Sequence, residues 1–184
     1  MLLDILNKDE EFWNGAAIDK IPEEFRLKLW KIKDYEVLRI HPGDIDVIER
    51  KYERELLKPE VKWIKGVSPV YHPNWPKLYV KLARHGKIIS LVLTEDVLRH
   101  VIEEYGEKIA EEFFECCRNC KVFICREIVG LSFTVTNRFL TLALFGRDGR
   151  YRGNQVLWSY EKSAVEWALG LFDYYVQVSE QLRY

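Results

Sequence analysis

The chain is 184 residues long, with 48% apolar and 31% charged residues, and its 28 Lys and Arg nearly balance 29 Asp and Glu for a net charge of −1. That length buries about 70% of the unfolded surface without help from a metal or a disulfide, and the composition excludes both a disordered chain and a membrane protein. It also argues against a free-standing DNA-binding protein, because a chain that grips phosphate backbones by itself carries a basic excess.

Residues 1 to about 34 read as two short helices. Leu2, Leu3, Ile5 and Leu6, then Phe12 and Trp13, mark the first. The second begins near Pro22 with Glu23 and Glu24 in its first turn, where the helix dipole favours acids, and Phe25, Leu29 and Ile32 follow at helical spacing. Tyr35 to Ile40 is a short strand, and His41-Pro42-Gly43-Asp44 a turn whose Asp44 caps a helix running to Leu57.

From residue 61 the pattern alternates strand and helix. Val61 to Ser68 is a strand, and a loop containing Tyr71-His72-Pro73 leads to a helix capped by Asn74 and ended by Gly86. Ile88 to Leu93 is an apolar strand interrupted only by Ser90, as expected when both faces are covered. Thr94 caps one long helix with the stripe Leu98, Val101, Ile102, Tyr105, Ile109 and Phe113, and Lys121 to Cys125 is a third buried strand. This order implies right-handed crossovers and a parallel sheet. Leu131 to Thr136 and Phe139 to Phe145 flank a tight hairpin at Asn137-Arg138, Asp148-Gly149 is another turn, and Val156 to Trp158 is a last short strand. Ser159 caps a final helix built on Ala164, Trp167, Ala168, Leu171 and Tyr175, and Val165, Leu169, Phe172 and Val176 widen its apolar face beyond one core stripe. A face that broad implies a second packing partner, for which another subunit is the candidate. The expected fold class is α/β: a central mixed, mainly parallel sheet flanked by helices, with a helical connector over 1–57 and an α/β domain over 60–184.

No stretch approaches the about 20 apolar residues needed to span a bilayer. The start, Met1-Leu2-Leu3-Asp4, lacks a positive segment and meets an acid at once, so no signal peptide is expected. Cys116, Cys117, Cys120 and Cys125 bunch together instead of spreading as a disulfide framework, which suits a reducing cytoplasm. The glycine-rich, zinc-protease and nucleophile-elbow signatures of nucleotide, metal and hydrolase sites are missing.

The four cysteines admit a zinc or iron–sulfur site, or a redox dithiol at Cys117 and Cys120 with Arg118 lowering a thiol pKa. Adjacent helical residues point about 100° apart, so four ligands converge poorly and buried, inert thiols are favoured. Among the histidines, His85 sits at a helix end and His100 on a polar helix face, whereas His72 follows the carboxyl end of a parallel strand. Ligands of open parallel sheets bind at that edge. Ser68, Tyr71, His72 and Trp75 therefore form either a small-molecule pocket or a rigid proline-bracketed loop whose aromatics merely pack. A small hydrolase with His72 as base is a weaker alternative, since neither Ser68 nor Ser90 has a His–acid pair by motif.

Three stretches carry a family resemblance: Gly66-Val67-Ser68-Pro69-Val70-Tyr71-His72-Pro73, Ser90-Leu91-Val92-Leu93-Thr94-Glu95-Asp96-Val97 and Phe133-Thr134-Val135-Thr136-Asn137-Arg138-Phe139-Leu140. With Asp148-Gly149-Arg150-Tyr151 and Ser163-Ala164-Val165-Glu166-Trp167 they follow one another in the order of the archaeal methanogenesis regulatory protein family, and resemble its middle domain. Leu3 to Trp13 and Ile21 to Phe25 are similar to the connector before that domain. The resemblance implies an effector-sensing, dimerising module of a cytoplasmic transcriptional regulator with no enzymatic activity, no cofactor and no metal. DNA would be bound only by an ArsR-like winged helix upstream of the connector. The chain starts where that winged helix should have ended, so a truncated regulator or a stand-alone sensor is expected.

Under this reading the effector pocket comprises Ser68, Tyr71, His72 and Trp75 with Thr94, Thr134 and Thr136, and the homodimer interface Val165, Leu169, Phe172 and Val176. The family's middle domain is similar in element order to half of a phospholipase-D-like domain, which needs a His-x-Lys-x4-Asp motif. His85-Gly86-Lys87 is followed by Val92 where the acid belongs, and Phe133-Thr134-Val135 stands where the imidazole and lysine are needed. Phosphodiester chemistry is therefore not expected. The cysteine cluster is not part of the family pattern, and a cysteine-based metal or redox sensor is the alternative function.

Overall fold

The apolar runs after residue 61 become neighbouring strands, β2 (Trp63–Ser68), β3 (Ile88–Thr94) and β4 (Lys121–Cys125), paired in parallel. The structure is a computed structural model that describes residues 8–41, 47–117 and 120–183. The Leu2 to Leu6 part of the first expected helix, and the turn residues Pro42 to Asp44 with the Asp44 cap, lie outside the described residues. Around the parallel strands stand β1 (Glu36–Arg39), β5 (Leu131–Thr136), β6 (Leu140–Leu144), β7 (Gln155–Ser159) and β8 (Ser179–Gln181). The order across the single sheet is β1-β7-β6-β5-β2-β3-β4-β8. The sheet is mixed as expected, but parallel pairing stops at β2-β3-β4 and every other pairing is antiparallel. The expectation of a mainly parallel sheet fails because the β5–β6–β7 meander joins β2 antiparallel, and β1 and β8 extend both edges in the same sense.

The sheet separates two cores. Along β5, Leu131, Phe133 and Val135 enter one core, while Ser132, Thr134 and Thr136 face the other side, as the two-residue period of a strand dictates. The first face is covered by α7 (Lys162–Gln177) and by an N-terminal segment with the single-turn helices α1 (Glu10–Trp13) and α2 (Glu23–Arg26). The second is covered by α3 (Val47–Leu57), α4 (Trp75–Arg84), α5 (Glu95–Tyr105) and α6 (Lys108–Cys116).

One predicted helix is in fact two. Gly106 has φ +70°, closes α5 through its N–H to the Ile102 carbonyl at 2.8 Å, and turns the chain into α6. An L side chain resists that backbone region and glycine does not. Three expected caps also differ. Thr94 and Asn74 occupy N-cap positions without capping through their side chains, and Asn74 Nδ2 instead donates to Glu49 Oε2 at 3.2 Å. Ser159 ends β7, its Oγ donating to the Asp34 carbonyl at 2.5 Å, and the N-cap position of α7 falls at Glu161, with the helix starting at Lys162.

The breadth of α7 is absorbed largely inside the chain. Trp167 Nε1 donates to the Phe25 carbonyl at 2.9 Å, and the Phe25 ring packs edge-on against Trp167 and Tyr174. The second partner of the helix is thus the N-terminal segment. Phe172 is only 3% exposed and lies beneath Lys65 Nζ, so it is not available to another subunit, whereas Val165, Leu169 and Val176 stay half-buried.

Lys87, at the entry to β3, is a buried tie between elements: its Nζ donates to the carbonyls of Lys58 at 2.6 Å and Val61 at 2.7 Å. Burial lowers its pKa from the ordinary lysine value. Lys87→Met keeps the stem and removes the donor, leaving two carbonyls unpaired. A loss of about 2 kcal/mol in chemical unfolding is expected, and an unchanged midpoint would show that water replaces the ammonium.

Candidate functional site

The loop after β2 is held at both ends. Ser68 Oγ donates to the Val70 carbonyl at 2.8 Å, and Tyr105 Oη donates to the Pro73 carbonyl at 2.5 Å. Tyr71 donates from its phenol to Glu104 and stacks on His100, with ring centres 5.5 Å apart. His72 Nε2 lies 3.1 Å from Glu49 Oε1, and its ring stacks on Trp75 at 5.1 Å. Trp75 in turn stacks on Tyr52 at 5.8 Å. The loop is therefore proline-bracketed and tied down as one reading expected, and its residues also line two cavities.

The first cavity lies over β5, β6 and β7, on the face covered by α3 and α4, with about 1040 Å³ of empty space including its mouth. Its floor carries the hydroxyls of Ser132, Thr134 and Thr141, and its walls include Tyr52, His72, Trp75, Tyr151 and Trp158. Tyr52 Oη is 2.5 Å from Thr134 Oγ1 and 3.3 Å from Tyr79 Oη, a network joining α3, α4 and β5. Burial raises the pKa values of Tyr52, Tyr79 and Tyr151, so these phenols stay protonated as donors. Two buried nitrogens at this cavity have no hydrogen-bond partner: Nε1 of Trp158, a residue 1% exposed, and Nδ1 of His72. A buried unpaired polar group costs about 1–3 kcal/mol, which a bound molecule would recover by accepting from Trp158 Nε1 and donating to His72 Nδ1, whose ring presents its Nε2 proton to Glu49. Glu49 is the charged residue among the described lining, and no Lys or Arg joins it. A neutral polar molecule fits this chemistry, and an anion would lack a counter-charge.

The second cavity, bounded by α4, α5, α6 and β3, shares Val70, His72 and Trp75 with the first. Of the expected pocket residues, Ser68, Tyr71, His72 and Trp75 line this second cavity, and His72, Trp75 and Thr134 line the first. Thr94 and Thr136 line neither. Thr136 Oγ1 instead accepts the N–H groups of Arg138 at 3.0 Å and Phe139 at 3.1 Å, which closes the β5–β6 turn. Tyr52, Ser132, Thr141, Tyr151 and Trp158 were not legible as site residues. Alternation along β5 was the one available signal, since Ser132 and Thr134 share a face.

The cysteines do not converge. Cys117 and Cys120 are joined in a disulfide, which departs from the expectation of inert thiols and of a cluster kept reduced, and both pack in the α4–α6 core. Cys125 is buried in the core on the other face of the sheet, and Cys116 is half-exposed. Among the described residues no group of three or more metal-ligating side chains is gathered. The residues weighed for phosphodiester chemistry are spent structurally: His85 Nδ1 lies 2.8 Å from the Lys81 carbonyl, Lys87 is the tie described above, and Phe133 and Val135 are buried.

The loop that brings Tyr151 and Gly153 to the first cavity also carries Arg152. Its Nη1 donates to the carbonyls of Phe12 at 2.8 Å and Asn14 at 3.2 Å, and its Nη2 to that of Glu11 at 2.8 Å. The carbonyl end of α1 is thereby clamped to the cavity wall, a favourable place for a cation.

Residues 50–178 match the family described as methanogenesis regulatory protein FilR1, middle domain. The methanogenesis regulatory protein FilR1 of Methanothrix harundinacea is 28% identical over 98% of the chain, which spans 41% of that relative's length. Among solved structures, TrmBL2, an archaeal chromatin protein with a novel mode of DNA binding, aligns with a TM-score of 0.60 at 16% identity, over 98% of this chain and 63% of that one. Nuc from Salmonella typhimurium, a phospholipase D family member, aligns with a TM-score of 0.58 at 11% identity, over 82% of this chain and 99% of that one. These structures share the fold, including the expected phospholipase-D-like architecture.

Proposed function

The chain belongs to the FilR1 middle-domain family of methanogenesis regulatory proteins, and from that membership we propose that it is the effector-binding, self-associating module of a cytoplasmic transcriptional regulator. The observation that carries the reading is the hydroxyl-floored cavity in which Trp158 Nε1 and His72 Nδ1 lack partners. An effector accepting from Trp158 would reach Tyr151, and through Arg152 would bias the position of residues 11–14. On this reading DNA contact belongs to another part of the regulator, because a net charge of −1 gives this chain no basic excess. Self-association is assigned to the half-buried flank of α7 at Val165, Leu169 and Val176, with Phe172 left out of it. Catalysis is not part of the reading, since the imidazole and lysine of a phosphodiesterase motif are missing from β5.

A thermal-shift screen of neutral polar metabolites tests the reading. At least one should raise the melting temperature, and Trp158→Phe should weaken its binding about 5-fold to 10-fold by removing one donor. A screen without a stabilising compound, or equal affinity in the variant, overturns the site. Light scattering of the chain at high concentration should show a dimer; a strict monomer removes the self-association half.

A further inference from the structure

The second cavity differs in chemistry from the first. Its walls are Leu91, Leu93 and Val122 from the sheet, with Val97, Leu98 and Val101 from α5. Ile109, Ala110 and Phe113 of α6 close the far side. Two polar groups at its rim are already satisfied, Ser68 by the Val70 carbonyl and Tyr71 by Glu104, and His72, whose Nδ1 is unpaired, stands where this cavity adjoins the polar one. Leu93, Leu98, Val101 and Ile109 are only half-buried although they converge on one gap of about 690 Å³, mouth included. The gap follows from the break at Gly106, which lets α6 depart from the line of α5. Apolar side chains held around an apolar gap gain by contact with hydrocarbon, and an apolar cavity stays dry until such a ligand enters.

We infer that this second cavity is a binding site for a flexible hydrocarbon chain, adjoining the polar cavity at Val70, His72 and Trp75, which line both. The chain has two possible sources, a free apolar molecule or the apolar arm of an amphiphile whose neutral head occupies the hydroxyl-floored cavity. Only the second source rests on the effector reading above.

Isothermal titration with 1-octanol, glucose and octyl glucoside below its micelle threshold tests the inference on the whole chain. Octanol should bind the wild type, and Ala110→Phe, which puts a ring into the cavity, should weaken it at least tenfold while far-UV circular dichroism stays unchanged. Ala110→Leu provides the same test, with a smaller effect, should the phenylalanine variant fail to fold. Tighter binding of octyl glucoside than of octanol, weakened by Trp158→Phe, supports the amphiphile; equal binding supports the free apolar molecule. Absence of octanol binding, or undiminished binding in both Ala110 variants, overturns the site. Octanol binding that survives Trp158→Phe separates this result from failure of the polar cavity.

Discussion

Trp167→Ala is expected to lower the unfolding free energy by about 4 kcal/mol, or roughly 8–16 °C in melting temperature for a chain of this size. The indole is 2% exposed, donates to the Phe25 carbonyl at 2.9 Å and meets the Phe25 ring edge-on. Its removal leaves a cavity between α7 and the N-terminal segment and an unpaired carbonyl on α2. Trp167→Phe keeps most of the packing and should lose about 1–2 kcal/mol, mainly for the missing donor. Chemical denaturation of the three proteins measures both differences. The alternative origin of the broad α7 face makes the opposite forecast: were that part of the helix to face another subunit, the alanine variant would change oligomeric state and barely change monomer stability.

Arg152→Ala should cost about 2–3 kcal/mol, and its effect should be local. The guanidinium makes three donations to the carbonyls of Glu11, Phe12 and Asn14. Without it the segment from α1 to residue 21 is expected to exchange its amide hydrogens and admit proteases well before the sheet does. Arg152→Lys restores a charge but not a planar fork, and should recover less than half of the loss. If an effector does act through this clamp, the coupling is reciprocal: fixing residues 11–14 tightens effector binding by the factor by which effector binding stabilises them. Uniform exchange across the chain in the alanine variant would show that the clamp is an ordinary stabilising contact.

The sequence was informative where one physical signal dominated. Apolar-rich runs located β3 and β4, the onset of strand–helix alternation after residue 61 located β2, and the Asn137-Arg138 turn located the β5–β6 hairpin. It misled where a local signal was masked. Ile102, Tyr105, Ile109 and Phe113 keep helical spacing across Gly106, so the stripe conceals the break that the glycine makes. Ser179-Glu180-Gln181 is too short and polar to read as a strand, and forms β8 only because the edge of β4 lies open to it. The polar cavity was legible through the His72 loop but not through Tyr52, whose hydroxyl meets Thr134 across 82 positions of chain. A contact of that sequence separation leaves no periodicity to detect.

The two ends of the sheet constrain how this chain can assemble. One end is β1, four residues whose Glu36 pairs with Lys51 and whose Arg39 pairs with Asp9 at 2.6 Å. The other is β8, three residues whose Glu180 lies 3.5 Å from Arg126. Short, charged border strands deny an incoming chain the long flat row of free N–H and C=O groups that templated stacking requires. Growth by edge-to-edge strand addition is therefore disfavoured at both borders of the sheet.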